Sequence, residues 1–200
     1  MTRALLVVDA QRMYEDSASE LHCRDVKATL LRINALIAEF VAAGAATVFI
    51  RHVHRADGSD LGRMFDFAGE SVEWRGFKAG SPGIAYASGL HLPVDRVELT
   101  KNRYSAFEGT NLHQLLRGRE VDRLAVCGFM TNFCCESTAR AAHDKDYFVD
   151  FILDATGTPG LPDMDEARIR HVVAGSLAAG FARVIATSEY VARMSGHMAD

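Results

Sequence analysis

Short apolar runs recur along the chain, and the stretches between them place apolar residues at helical spacing. Residues 4–8, ALLVV, are continuously apolar and end at Asp9, the pattern of a strand buried on both faces of a parallel sheet. Val26, Leu30, Ile33, Ile37 and Phe40 then mark one face of a helix, with Gly44 placed to stop it. Residues 47–50, TVFI, predict a second strand with Arg51, His52 and His54 at its exit. A third strand is predicted at 96–100, ending at Lys101, and Thr110 is placed to cap a short helix carrying Leu112, Leu115 and Leu116. The fourth, 124–127, turns at Gly128. The fifth, 147–153, ends at Asp154, which reads as a cap for the following loop. A helix over 163–179, burying Ile169, Val172, Val173 and Leu177, leads past Gly180 to a last strand at 183–187.

Alternating strands and helices of this kind predict an α/β protein. The expected architecture is three-layered, a six-stranded and mainly parallel sheet with helices on both sides and right-handed crossovers. Periodicity lapses between Arg55 and Pro93, where glycines and aromatic residues dominate. An irregular stretch of that length is usually functional, and it reads as a lid or partner-contacting insertion at about 55–93 within one domain spanning 1–200.

Composition narrows the partners. Hydrophobic residues make up 48% of the 200, enough for one sizeable core. The net charge of −4 supplies no basic footprint, which argues against nucleic acid and membrane surfaces as partners. The apolar part of MTRALLVVDAQ is only about six residues, too short for a signal-peptide core or a membrane span. A cytoplasmic location is therefore expected. Cys23, Cys127, Cys134 and Cys135 contain no CxxC pair and are expected to be free thiols.

In parallel α/β folds, ligands bind beyond the carboxyl ends of the strands. Asp9, Lys101 and Cys134 lie at or just past three such ends. A carboxylate, an ammonium and a thiol brought to one edge permit nucleophilic catalysis. Cys134 attacks a carbonyl, Asp9 takes the thiol proton and returns it to the leaving amine, and Lys101 balances the charges. The backbone N–H groups of Met130 and Cys134 are placed to receive the oxyanion. Thr131 and Asn132 are placed to cap a helix beginning beside Cys134, whose first turn favours a thiolate. Cys135 shares a stripe with Thr138, Ala139 and Ala142 and reads as core, as do Cys23 and Cys127. Candidate substrate contacts are Gln11, Tyr104 and Phe129, with Phe65, Phe67, Trp74 and Phe77 as further pocket aromatics. Arg51, Arg63, Arg75 and Arg103 are candidates to meet a substrate carboxylate.

The segments LLVVDAQ, TKNRYSAFEGT, GFMTNFCCESTAR and VDFILDATGT together resemble the isochorismatase-like cysteine hydrolases. That superfamily holds nicotinamidases, N-carbamoylsarcosine and ureidoacrylate amidohydrolases, biuret hydrolases and isochorismatases. The resemblance runs nearly end to end. It implies that Asp9, Lys101 and Cys134 take the triad positions, and that a non-proline cis peptide joins Phe129 to Met130. It further implies a strand order of 3-2-1-4-5-6 and a homo-oligomer, dimer or tetramer.

The nicotinamidase branch carries an Asp-x-His pair after strand two and a further histidine downstream. Here His52 stands at the Asp position, His54 keeps the first histidine, and no histidine occurs between Arg55 and Leu90. His52 and His54 are expected to face opposite sides of the chain, which would be poor chelating geometry. No metal and no cofactor are expected, and nicotinamide is correspondingly disfavoured as substrate. The first functional expectation is cysteine-dependent hydrolysis of a small amide, carbamoyl or ureido compound through a thioester. The alternatives are vinyl-ether hydrolysis of an isochorismate-like acid, which needs no thiol, and a non-catalytic or redox-sensing thiol.

Overall fold

A computed structural model describes residues 2–64 and 76–196. Six strands, β1 (Arg3–Val8), β2 (Ala46–His52), β3 (Val97–Lys101), β4 (Arg123–Phe129), β5 (Phe148–Gly157) and β6 (Arg183–Ile185), form one sheet of order β3-β2-β1-β4-β5-β6. Every pairing is parallel. The helices are α1 (Val26–Ala42), α2 (Leu112–Arg117), α3 (Glu136–His143), α4 (Glu166–Ala178) and α5 (Thr187–Met194).

The period-two pleat sorts β1 between two cores. Leu5 and Val7 pack with Leu30, Ile33, Ile37 and Phe40 of α1 and Tyr190 of α5, while Ala4, Leu6 and Val8 pack with residues of α2, α3 and α4. Both faces of the strand are thus covered, which is why it reads as one unbroken apolar run. Gly44 ends α1 region as expected, with φ +63°, a backbone conformation that costs glycine nothing.

Several expectations need correction. The chain beyond β6 turns into α5 rather than continuing as strand to residue 187. Asp154 does not cap the loop after it. Its Oδ1 accepts hydrogen bonds from the Thr187 N–H (2.7 Å) and hydroxyl (2.8 Å), pinning the start of α5. β5 runs on past Asp154 to Gly157 through an irregularity, Val126 facing Phe151 but Gly128 facing Thr156. Val172 is 54% exposed, because Ile169, Val173 and Leu177, four residues apart, already occupy the inward stripe of α4. That helix starts at Glu166, where Asp165 caps it by accepting from the Arg168 N–H at 2.8 Å.

The expected insertion is described in part. Phe77, Ala87 and Leu90 from it are buried in the α1-side core. Phe65, Phe67, Trp74 and Arg75 lie outside the described residues, so nothing of the pocket roles expected of them is drawn from the structure. Among the described residues no helix is long and apolar enough to cross a membrane.

Candidate active site

The site begins where β4 meets β1. A Cβ at Gly128 would lie 1.9 Å from the Val8 carbonyl oxygen, and φ there is +121°, so only glycine fits. Asp9, immediately past β1, has φ +48°, a left-handed conformation that Asp tolerates better than most residues. It leaves the strand while its N–H still donates to the Ile50 carbonyl at 2.8 Å. The Phe129–Met130 peptide is cis, as the resemblance implied. Residues Thr131–Cys135 then form a wide π-helical turn that leads into α3.

Thr131 and Asn132 do not cap that helix, contrary to expectation. The Thr131 hydroxyl donates to Thr156 Oγ1 (2.9 Å), and Asn132 Oδ1 accepts from the Thr158 hydroxyl (2.8 Å). Both side chains tie the turn to the end of β5. Cys135 is buried beside Ala139 and Ala142 in the core, as its stripe predicted, and Cys134 faces Lys101 instead.

Asp9, Lys101 and Cys134 come together. Lys101 Nζ lies 2.7 Å from Asp9 Oδ2 and 3.3 Å from Cys134 Sγ, and it also donates to the Arg103 carbonyl at 3.0 Å. The carboxylate and ammonium side chains are wholly buried. Burial raises the Asp9 pKa against the pull of Lys101. Burial would lower that of Lys101, but the negative charges available to Asp9 and Cys134 outweigh it and the net direction is up. Burial pushes the Cys134 thiol up to about 12, with Asp9 adding to the rise and Lys101 opposing it. The resting group is therefore a neutral thiol, not the thiolate expected from a helix start. The dipole argument fails because desolvation of the anion is the larger effect.

A cavity of about 210 Å³ opens beside the thiol, lined by Tyr14, His52, Phe77, Tyr104, Phe133 and Cys134 among others. Asp9 and Lys101 do not line it themselves, and among the described residues none of the larger concavities is lined by Cys134. Tyr104 lines the cavity as expected of a substrate contact, its ring 5.3 Å from Phe133. Phe129 does not: it is fully buried, stacked 4.9 Å from Tyr14 and close against Gly157. Gln11 is also absent from the lining. Its side chain accepts from the His52 N–H (2.8 Å) and donates to the His52 carbonyl (3.1 Å), bracing the end of β2. Of the arginines, Arg51 pairs with Glu98 and lies over the Tyr86 ring, and Arg103 donates to the Asp60 and Asn102 carbonyls. Neither these nor Arg63 lines the cavity among the described residues.

His52 and His54 do not face opposite sides. The expectation misapplied strand alternation, since residues i and i+2 of an extended segment lie on the same face. Here the Val53 N–H still donates to the Lys101 carbonyl (2.9 Å), while His54 pairs with Phe77 and Ala79. Their Nε2 atoms lie 2.9 Å apart, both residues being buried. Phe133, one residue before the thiol, is a cavity residue that periodicity could not reveal, since the turn carrying it is not an α-helix. As to metals, Asp9, His52 and Cys134 offer ligand atoms within 4.8 Å of one another. They do not fit a cation, because the Lys101 ammonium already sits against two of the three.

The chain matches the isochorismatase domain family over residues 3–189 and belongs to it. Among its relatives, nicotinamidase 3 of Arabidopsis thaliana is 32% identical over 182 residues, covering 91% of this chain and 83% of the relative. The ureidoacrylate amidohydrolase RutB of Methylorubrum extorquens is 29% identical over 193 residues, covering 86% and 76%. The crystal structure of a cysteine hydrolase from Pseudomonas syringae pv. phaseolicola superposes with a TM-score of 0.90 at 30% identity, covering 98% of this chain and 93% of that one.

Proposed function

We propose that this protein hydrolyses a small carboxamide, carbamoyl or ureido compound through a thioester on Cys134, releasing ammonia or an amine. The observation that carries the reading is Lys101, held 2.7 Å from Asp9 and 3.3 Å from Cys134, the thiol itself lining a small cavity. As Sγ attacks the carbonyl carbon, its proton passes to Asp9, and the oxyanion is received by the Met130 and Cys134 amides. Asp9 then protonates the leaving nitrogen as the C–N bond breaks. Water attacks the thioester, Asp9 accepts its proton, and the Cys134 thiol is restored. Lys101 stays protonated throughout and offsets whichever of its neighbours is negative.

A carboxyl raised by burial suits this shuttling. A cavity of about 210 Å³ suits small molecules. Relatives named nicotinamidase and ureidoacrylate amidohydrolase support a nitrogen leaving group. Vinyl-ether hydrolysis would leave the thiol idle beside Lys101. Redox sensing needs an accessible thiolate, whereas Cys134 is 3% exposed and neutral at rest.

The test is an ammonia-release screen over small amides, carbamates and ureas with wild type and Cys134→Ala in parallel. Turnover should vanish in the variant, and mass spectrometry of the quenched wild type should find the acyl group on Cys134. An adduct on Cys135, or full activity in Cys134→Ala, overturns the assignment.

A further inference from the structure

The triad leaves unused the histidine pair at the end of β2. Two ring nitrogens 2.9 Å apart share one hydrogen, and the question is which ring holds it. Asp60 decides. Its Oδ1 lies 3.3 Å from His54 Nδ1, and the carboxylate is fixed by the Arg55 N–H (2.9 Å) and the Asn102 side-chain amide (3.0 Å). The contact is an ion-pair distance rather than an aligned hydrogen bond, yet a carboxylate beside Nδ1 favours the tautomer with its hydrogen there. In a neutral imidazole this leaves a lone pair on His54 Nε2, so the shared hydrogen belongs to His52 Nε2. Burial keeps both rings neutral, lowering the pKa of each. It follows that His52 Nδ1 carries a lone pair.

That atom is buried and has no hydrogen-bond partner among the described residues. His52 is 1% exposed, its ring lies 4.4 Å from that of Phe77, and Gln11 fixes its backbone on both sides. A rigid, unanswered acceptor is uncommon in a native interior and asks for a donor from outside. His52 lines the cavity, and one of its ring nitrogens lies within 4.8 Å of both Cys134 Sγ and an Asp9 oxygen. The His52 ring therefore borders the space that the group attached to the attacked carbonyl must occupy.

We infer that Asp60 sets the tautomer of His54, and through it that of His52, so that His52 is presented as a fixed acceptor to a substrate N–H. It would select primary amides and terminal NH2-bearing ureas or carbamates over esters and N,N-dialkyl amides. The inference rests on the amidohydrolase reading and assigns its specificity.

The experiment compares kcat/KM for matched pairs, butyramide with methyl butyrate and nicotinamide with methyl nicotinate, in wild type, His52→Phe, His52→Gln and Asp60→Asn. His52→Phe keeps a ring against Phe77 but removes the acceptor. The amide-to-ester ratio should fall about tenfold, the size of one well-made hydrogen bond. His52→Gln restores an acceptor oxygen and should recover part of the ratio. Asp60→Asn can donate to His54 Nδ1 and reverse both tautomers, so the ratio should fall there too. Long-range proton–nitrogen NMR of the wild type should show Nδ1 of His52 unprotonated, a readout that survives if a variant fails to fold. A proton on that nitrogen, or an unchanged ratio in His52→Phe and Asp60→Asn, overturns this inference alone. Activity lost to chelator and restored by zinc or manganese would also overturn it, by making the histidines ligands. The pairs are replaced by the best amide of the ammonia-release screen and its methyl ester where that amide is turned over faster. Wild type that releases ammonia from no compound of that screen overturns the amidohydrolase reading with it.

Discussion

On the proposed mechanism, Cys134 is a nucleophile stored rather than constantly armed. Burial pushes its pKa up to about 12, so the resting enzyme holds it as thiol and activates it only when a proton acceptor and an electrophile are both in place. Alkylation by iodoacetamide in the absence of substrate should consequently be slow at neutral pH and keep accelerating beyond about pH 9, the usual thiol range. A rate that levels off below about pH 8 would contradict this. Lys101 lowers the pKa of both Asp9 and Cys134, so Lys101→Met should raise both. Asp9 would then protonate more readily and lose the role of base proposed for it. Turnover should drop by about 10²–10⁴ and alkylation at fixed pH should slow, whereas unchanged alkylation would remove Lys101 from the site. Lys101 also occupies the position a cation would need between Asp9 and Cys134. Dialysis against chelator should leave turnover intact, and the measurement is residual activity before and after adding back zinc or manganese.

At the scale of elements, the site depends on how closely β1 and β4 approach. Gly128→Ala would set a Cβ 1.9 Å from the Val8 carbonyl and add strain at φ +121°, so the strands must separate. The expected loss is more than about 4 kcal/mol, read from urea unfolding or from failure to accumulate folded protein. Cys135→Ala in the adjoining core should cost only about 1 kcal/mol and leave the chemistry in place. The strands were legible in the sequence because β1, β2 and β4 are buried on both faces and so read as apolar runs. The position of Asp9 was legible for the same reason, marking where β1 ends, whereas Lys101 closes the half-exposed β3 and Cys134 lies in the turn beyond β4. What was not legible depends on partners distant in the chain. The bond from Thr187 to Asp154 spans 33 residues, and the brace from Gln11 to His52 spans 41. The convergence of His52 and His54 was legible, because alternation puts residues i and i+2 of an extended segment on one face, and the expectation of opposite faces misapplied that rule. Burial also reverses the local argument for a thiolate, since a sequence records a helix start more directly than it records the loss of solvent.

Taken over the whole molecule, the buried groups predict a stability profile with two limbs. His52 titrates well below its ordinary 6.5 and His54 below it as well, in each case because burial penalises the charged ring. The unfolded chain therefore binds these protons first. Their contribution to stability is present above about pH 6.5 and is lost as pH falls towards the depressed folded values. Lys101 and Cys134 shift the other way, both upward. Their contributions are fully present below the ordinary values of 10.5 and 9.0 and are lost as pH rises, for Cys134 towards about 12. Asp9, also raised, favours the folded state most at low pH and so partly opposes the histidines on the acid limb. Thermal unfolding midpoints measured between about pH 4 and pH 11 should be highest between about 7 and 9 and fall on either side. His52→Phe removes the more strongly depressed histidine while keeping a ring in its place, so its acid limb should be shallower than that of the wild type and its alkaline limb unchanged. Acid limbs that run parallel in the two proteins would mean that the pair at the end of β2 does not hold its rings neutral, and would place the acid sensitivity in other groups.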